Sequence, residues 1–417
     1  MSDSSSTALD PVLDADVEVT DVVANDAGPM RMLPQMLGGL ATTGRRRRRL
    51  ASWLGQRSDD VLRRVLRGLY LRSGIPYMSP AELERAFAML RVYMDPAVLA
   101  EPDRMLAPPA RLPDVRACWR RPVRGGLHSH LVFDTPYEPI HRLYAAEYRR
   151  YDRLDTVHLF SWTHARPAPA SILVTHGWGV GRKQIHQWEL GLDYLFRELG
   201  LDVYYYVMPF HWLRRPSAAR FSGELHPSPN LMRTNEAFVQ KTIELRAALR
   251  WIKARSSGPL GMMGSSLGGY TTALLASLED SLDFAIPVLP PASLSDLFWD
   301  AGQGDPVLRK VSDMGMTRER FAAAWALHCP LTYRPKVPWR GRLVVGAAGD
   351  NLVTPEHTDV LWEHWGRPRR FEFAGGHILQ VFRTDYHREV GRFLAELGVI
   401  SGERIEPSRG PLAPRFG

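Results

Sequence analysis

Cysteine is nearly absent from this sequence of 417 residues, which has two, Cys118 and Cys329. Two cysteines are too few for a disulfide framework and lack the spacing of metal ligands, so we expect a reduced protein without a metal site. No run of about 18 residues is apolar enough to span a bilayer. The N-terminus also lacks the basic and apolar regions of a secretory signal, which favours a cytoplasmic location.

Positive charge is missing from residues 1–30, whose charged side chains are all acidic, whereas Arg45 to Arg49 form an unbroken basic run. We expect residues 1–49 to be a disordered tail and residues 50–124 to be a helical extension. Residues 58–72 have the pattern of an amphipathic helix with arginines away from its apolar face. Such a helix either packs on the main domain or gives the protein a peripheral contact with an anionic membrane. No recognition module accompanies the arginines, so no nucleic-acid partner is expected.

From about residue 125 the pattern changes to short strand-like runs separated by helical periods. The strand-like runs are 127–135, 155–163, 170–177, 201–209, 259–264, 283–291, 340–350 and 368–377, and the helical periods are 183–199, 235–255, 268–278 and 384–397. Strands that alternate with helices predict an α/β fold with a mostly parallel, doubly wound sheet over residues 125–400. Residues 291–340 are too long for a simple crossover and are interpreted as a helical cap insertion. Residues 401–417 are expected to be a flexible tail.

The stretch Gly264-Ser265-Ser266-Leu267-Gly268 fits the pattern G-x-S-x-G, and it lies between a predicted strand and a predicted helix. In that context a tight turn holds the serine hydroxyl above the edge of the sheet, and the glycines let the helix approach the strand. Ser266 is therefore the expected nucleophile, and Ser265 a structural neighbour. The backbone N–H of Leu267 would face a developing oxyanion from the start of the helix.

A serine nucleophile needs a base that is itself oriented by an acid. Asp350 and His377 each follow a late predicted strand, in the chain order serine, aspartate, histidine that this architecture uses. Asp359 comes shortly after Asp350, but it falls inside the next predicted helix and is the poorer choice. We therefore predict Ser266, His377 and Asp350 as a catalytic triad.

The turn His176-Gly177-Trp178-Gly179 ends an earlier predicted strand, where Trp178 or Gly177 would supply a second oxyanion donor from its backbone. With this turn, the motifs GSSLGG, GDNLVTP and GGH resemble those of the α/β-hydrolase superfamily. The stretch PFHWLRRP, residues 209–216, also resembles a segment of a little-characterised branch of α/β-hydrolase-domain proteins. The resemblance implies a serine hydrolase that needs no cofactor.

The substrate pocket is less well marked in the sequence than the triad. Its predicted residues are His176, Phe210, Trp212, Arg214 and Trp299, although a histidine at position 176 is more often structural than catalytic. Arg214 and Arg215 either bind an acidic group of the substrate or form a solvated charge pair. Phe298, Trp299 and Trp325 are expected to be exposed on the cap.

The predicted activity is cleavage of a carboxylic ester through an acyl-enzyme intermediate. The apolar cap and the basic helix favour a small-molecule substrate that is lipid-like or carries an acyl group. A peptidase or amidase, and an acyltransferase, remain open on the same triad. A binding protein that keeps the fold without the chemistry is the alternative from another class.

Overall fold

The computed structural model describes residues 44–71, 79–179 and 190–402, with the backbone alone for residues 44–45 and 61–71. The predicted tails before residue 44 and after residue 402 lie outside these ranges, as does most of the helix predicted over 183–199. The described residues belong to one compact unit that begins at Gly44.

Nine strands of the described residues form one sheet. They are β1 Arg116–Val123, β2 Gly126–Asp134, β3 Thr156–His164, β4 Ser171–Thr175, β5 Asp202–Tyr206, β6 Leu260–Ser265, β7 Phe284–Val288, β8 Leu343–Ala347 and β9 Arg369–Phe373. Their order in the sheet is β1-β2-β3-β5-β4-β6-β7-β8-β9. The pairs from β1 to β5 are antiparallel, and the pairs from β5 to β9 are parallel. The predicted mostly parallel sheet is confirmed.

Helices cover both faces of this sheet. They are α1 Gly44–Leu71, α2 Pro80–Met89, α3 Pro96–Ala100, α4 Asp103–Leu106, α5 Ala145–Tyr148, α6 Leu231–Lys253, α7 Leu267–Leu278, α8 Leu294–Ala301, α9 Pro306–Asp313, α10 Arg318–Ala323, α11 Pro355–His364 and α12 Arg383–Glu396. Within the part of the chain that the structure describes, no helix is both long and apolar enough to cross a membrane.

The central strands are buried on both faces, as parallel strands between two helical layers must be. Every residue of β4, β6, β7 and β8 is buried. In β4, Leu173 packs into one apolar core, while Ile172 and Val174 pack into the core on the opposite face. Since these strands run in one direction, their carboxyl ends meet at a single edge, where the loops that carry function collect.

Two boundaries near the N-terminus differ from the prediction. Helix α1 begins at Gly44, so Arg45 to Arg49 belong to a helix and not to the tail. Arginine is a good helix former, and this run contains no glycine or proline that would break it. Strand β1 lies inside the stretch predicted as a helical extension. It is an edge strand with exposed and half-buried side chains, so no alternating apolar face marks it in the sequence.

The segment before the sheet is tied to the main domain by a buried carboxylate on α6. Glu236 accepts hydrogen bonds from the hydroxyl groups of Tyr93 and Tyr137. It also accepts from the backbone N–H groups of Ile140, at 3.0 Å, and His141, at 2.8 Å. These four donors satisfy the carboxylate, and the bond from Tyr93 joins the segment before β1 to the core.

Candidate active site

Ser266 occupies a strained turn between β6 and α7. Its backbone has φ of 55° and ψ of −116°, a conformation that residues other than glycine rarely adopt. The N–H of Ser266 donates to the carbonyl of Val288 at 2.8 Å, and its own carbonyl accepts from Tyr270 at 2.9 Å. Such strain persists where the surrounding structure fixes the backbone, and it is common at active sites.

The two glycines of the motif make this turn possible. A Cβ atom on Gly264 would lie 2.3 Å from the hydroxyl oxygen of Thr175, and one on Gly268 would lie 2.4 Å from the carbonyl oxygen of Thr175. Both distances are far inside van der Waals contact. Any side chain at these positions would therefore push α7 away from β4 and β6 and move the serine.

The structure brings the three predicted triad residues into one hydrogen-bonded chain. His377 Nε2 lies 2.8 Å from Ser266 Oγ, and His377 Nδ1 lies 2.7 Å from Asp350 Oδ2. The other carboxylate oxygen of Asp350 accepts from the backbone N–H groups of Leu352, at 2.9 Å, and Val353, at 2.7 Å. Asp350 and His377 are both buried, whereas Ser266 is half-buried. This arrangement can move a proton from the serine to the imidazole.

The two predicted oxyanion donors flank the serine. A Cβ atom on Gly177 would lie 3.5 Å from the Cβ of Ser266, so the turn that contains Trp178 runs directly beside the nucleophile. Leu267 is the first residue of α7, and N–H groups in the first turn of a helix have no partner within that helix. The indole of Trp178 donates to the carbonyl of Gly223 at 2.8 Å, which ties the turn to the loop after β5.

His176 supports this turn and does not line a pocket. Its Nε2 accepts from the backbone N–H of Met208 at 3.0 Å, so Nδ1 carries the ring proton and donates to the carbonyl of Gly177 at 2.7 Å. The side chain is fully buried. The structural interpretation of His176 therefore agrees with these contacts, and its assignment to the substrate pocket does not.

Phe210 and Trp212 both pack against other aromatic rings. Phe210 is fully buried and makes edge-to-face contacts with the rings of Tyr148 and Tyr151. Trp212 is half-buried and stacks on Phe160, with ring centroids 5.1 Å apart. The prediction of Phe210 as a pocket residue is wrong because its ring completes the core beside α5, where solvent has no access.

Arg214 is neither a substrate ligand nor part of a solvated pair. It is fully buried and makes two hydrogen bonds with the carboxylate of Glu244, at 2.6 and 2.8 Å. A third hydrogen bond, of 2.7 Å, goes to the carbonyl of Leu154. The sequence prediction was wrong because the partner that draws this guanidinium inwards lies on α6, distant in the chain.

The segment predicted as a cap contains α8, α9 and α10. Trp299, on α8, is half-buried and packs against the ring of Phe321, with centroids 5.9 Å apart. Phe298 is also half-buried, and Trp325 is buried, so the prediction that they are exposed is wrong. These aromatic rings pack on one another because α8 and α10 lie side by side.

Sequence reasoning missed Asp59, a carboxylate on α1 that bonds to the loops of both Asp350 and His377. The signal was a pair of acids, Asp59 and Asp60, in an otherwise basic helix.

Within the described ranges, no cluster of three or more His, Cys, Asp or Glu side chains is placed to hold a metal ion.

Comparisons with known proteins agree with this fold. No family model matches the chain. An uncharacterised protein of Mycobacterium tuberculosis (strain ATCC 25618 / H37Rv) is 30% identical over 249 residues, which cover 59% of this chain and 58% of that protein. The chain therefore spans less than two thirds of that relative's length.

Two further comparisons concern a shorter relative and a solved structure. The protein YdjC of Bacillus subtilis (strain 168) is 30% identical over 84 residues, which cover 20% of this chain and 72% of YdjC. Acetyl xylan esterase 1 from Thermoanaerobacterium sp. JW/SL YS485 superposes with a TM-score of 0.50 at 13% identity, covering 74% of this chain and 93% of the esterase. The chain has the α/β-hydrolase fold that its motifs predicted, and it belongs to the protein family that includes YdjC.

Proposed function

We propose that this protein is a serine hydrolase that cleaves a carboxylic ester. The hydrogen-bonded chain from Asp350 through His377 to Ser266, at the carboxyl ends of β6, β8 and β9, is the observation that supports it. The fold alone would not support a reaction, because the same architecture also serves proteins without this chemistry. Here the nucleophile, the base and the acid lie within hydrogen-bonding distance of one another.

In the proposed reaction, Ser266 Oγ attacks the ester carbonyl while His377 Nε2 accepts the hydroxyl proton. Asp350 keeps the imidazole oriented and stabilises its cationic form, and the N–H groups of Leu267 and Trp178 hold the oxyanion. Collapse of the tetrahedral intermediate expels the alcohol, which takes the proton from His377. Water, deprotonated by His377, then attacks the acyl-enzyme and releases the carboxylic acid and Ser266.

A small-molecule ester with a short acyl group is the first substrate to test. The solved structure compared above is, by its name, an acetyl xylan esterase. A peptidase or amidase would instead prefer an amide to its matched ester. An acyltransferase would form a new ester when a second alcohol is added, which analysis of the products would detect.

The decisive experiment is labelling with a fluorophosphonate, which reacts with activated serines. We expect the wild type and Ser265→Ala to be labelled and Ser266→Ala to be unlabelled. Ser265→Ala is the matched control because the two serines are adjacent and Ser265 is buried. Failure of the folded wild type to react, before and after proteolysis of residues 291–340, would favour a non-catalytic binding protein.

A lipid-like substrate and a membrane contact through residues 58–72 form a further part of the proposal. Basic amphipathic helices bind anionic surfaces, and Trp53 of the same helix is half exposed. The test is sedimentation with anionic vesicles after Arg63, Arg64 and Arg67 are changed to glutamate. A control variant reverses the same number of exposed charges on and after β1, at Arg120, Arg121 and Arg124. Equal sedimentation of both variants and the wild type would contradict the contact.

A further inference from the structure

Helix α1 lies directly on the two loops that carry Asp350 and His377. A Cβ atom on Gly55 would lie 2.2 Å from the backbone nitrogen of Gly376, next to His377. A Cβ atom on Gly349, next to Asp350, would lie 2.4 Å from the carbonyl oxygen of Ser52. The helix and both loops therefore meet backbone to backbone, without room for a side chain between them.

At this contact one carboxylate binds both loops. Asp59 Oδ2 accepts from the backbone N–H of His377 at 2.8 Å and from that of Asn351 at 3.0 Å. Asp59 Oδ1 accepts from the N–H of Ile378 at 3.0 Å. The side chain is fully buried. Asp59 thus joins Asn351, the residue after the proposed acid, to the proposed base His377 and to Ile378.

We propose that Asp59 is a positioning residue, which fixes the loop of Asp350 relative to the loop of His377. The inference rests on the proposed function, since the triad defines what is positioned. The imidazole of His377 must lie between Asp350 and Ser266, and both hydrogen bonds depend on the relative position of the two loops. Misplacement of catalytic groups by about 1 Å can cost about 10²-fold in rate.

Burial and hydrogen bonding act in opposite directions on the charge of Asp59. Burial raises the pKa of Asp59, and the hydrogen bonds from the backbone of His377, Ile378 and Asn351 offset this only in part. A carboxyl whose pKa is higher in the folded protein favours folding at low pH, and that contribution is lost as pH rises through the folded-state pKa. Ionisation of Asp59 is therefore less favourable in the folded protein than in the unfolded chain, while its three hydrogen bonds hold the loops.

The test compares Asp59→Asn with Asp60→Asn. In Asp59→Asn the amide has one acceptor oxygen, so its NH2 group must face at least one of the three backbone N–H donors and the loops must shift. Asp60→Asn removes the same charge one residue away. Among the described side chains, Asn351 donates a hydrogen bond of 3.2 Å to Asp60, and asparagine keeps an acceptor for it.

Three measurements are made: the kinetics of p-nitrophenyl acetate hydrolysis, which give kcat and KM, the fraction of serine titrated by fluorophosphonate, and the free energy of unfolding in urea. For Asp59→Asn we expect kcat per titrated serine to fall by about 10- to 100-fold, with KM and unfolding free energy close to the wild type. Asp60→Asn should match the wild type in all three. Asp59→Ser, which can accept one of the three bonds, replaces Asp59→Asn if that variant does not fold, and the same loss in kcat is expected.

The inference would be overturned by wild-type kcat per titrated serine in the Asp59 variant. It would also be overturned if the variant loses stability and titratable serine while each remaining site keeps full kcat, because that is the behaviour of a purely structural residue. Ser266→Ala separates this result from failure of the proposed function. If Ser266→Ala keeps activity, the triad itself is wrong, whereas an inactive Ser266→Ala with a fully active Asp59→Asn contradicts only the role of Asp59.

Discussion

Substitution of Asp350 by asparagine should move the proton of the neutral His377 imidazole from Nδ1 to Nε2. One oxygen of Asp350 accepts two backbone N–H groups, at 2.9 and 2.7 Å, and the other faces His377 Nδ1 at 2.7 Å. In Asp350→Asn the amide oxygen must keep the two backbone donors, so the NH2 group faces Nδ1. The ring then carries its proton on Nε2 and cannot accept one from Ser266.

The cost of the wrong tautomer in a serine hydrolase triad is about 10⁴-fold in kcat, which corresponds to about 5.4 kcal/mol of transition-state stabilisation. The asparagine has nearly the shape of aspartate, so KM should change little. Hydrolysis of p-nitrophenyl acetate per mole of folded protein measures the effect, and urea unfolding verifies the fold.

Asp359→Asn is the matched control for this prediction. Asp359 was the rejected candidate for the acid, and it lies on α11 in an ion pair with Arg370. We expect this variant to keep the kcat of the wild type. If Asp350→Asn stays within about tenfold of the wild type, or if Asp359→Asn causes the larger loss, Asp350 does not orient the base.

Two other predictions concern buried charge. Arg214→Met leaves Glu244 buried without its partner and should lower the unfolding free energy in urea by about 3–5 kcal/mol, most of which Arg214→Met combined with Glu244→Gln should restore. A raised KM without loss of unfolding free energy would instead indicate that Arg214 binds the substrate. Burial, with His130 and Arg214 nearby, lowers the pKa of His158 to about 3. Between pH 7 and pH 5 the unfolded chain therefore gains a proton at His158 that the native protein does not bind, which lowers stability by about 2 kcal/mol. His158→Asn should reduce the acid-induced loss by that amount, and an unchanged pH dependence in urea unfolding would contradict the argument.

The hydrogen-bonded arrangement of the proposed triad was predictable from the sequence because topology restricts where these residues can lie. Ser266, Asp350 and His377 each follow a strand of a parallel sheet, and the carboxyl ends of such strands meet at one edge. Local signals were sufficient to mark those strand ends: an apolar run, then glycine, then the polar residue. No knowledge of tertiary contacts was needed beyond the direction of the strands.

The pocket predictions failed for a physical reason that the same sequence could not reveal. An aromatic or arginine residue in a loop has no local pattern that distinguishes a solvent-facing side chain from a buried one. Phe210 is buried because the rings of Tyr148 and Tyr151 pack against it, and Arg214 is buried because Glu244 on α6 pairs with it. Each partner is remote in sequence, so the three-dimensional packing alone decides the outcome.

The sequence by itself thus determined the α/β fold and the order of the proposed catalytic residues, because strand and helix periodicity and glycine-rich turns are local properties. The tertiary structure decided what surrounds that site. Asp59 acquires its contacts with His377 only when α1 folds back on the loops after β8 and β9, across more than three hundred residues of chain. The sequence around this carboxylate has no local feature that identifies its hydrogen-bond partners, because hydrogen bonds between distant segments depend on where the whole fold places their backbones.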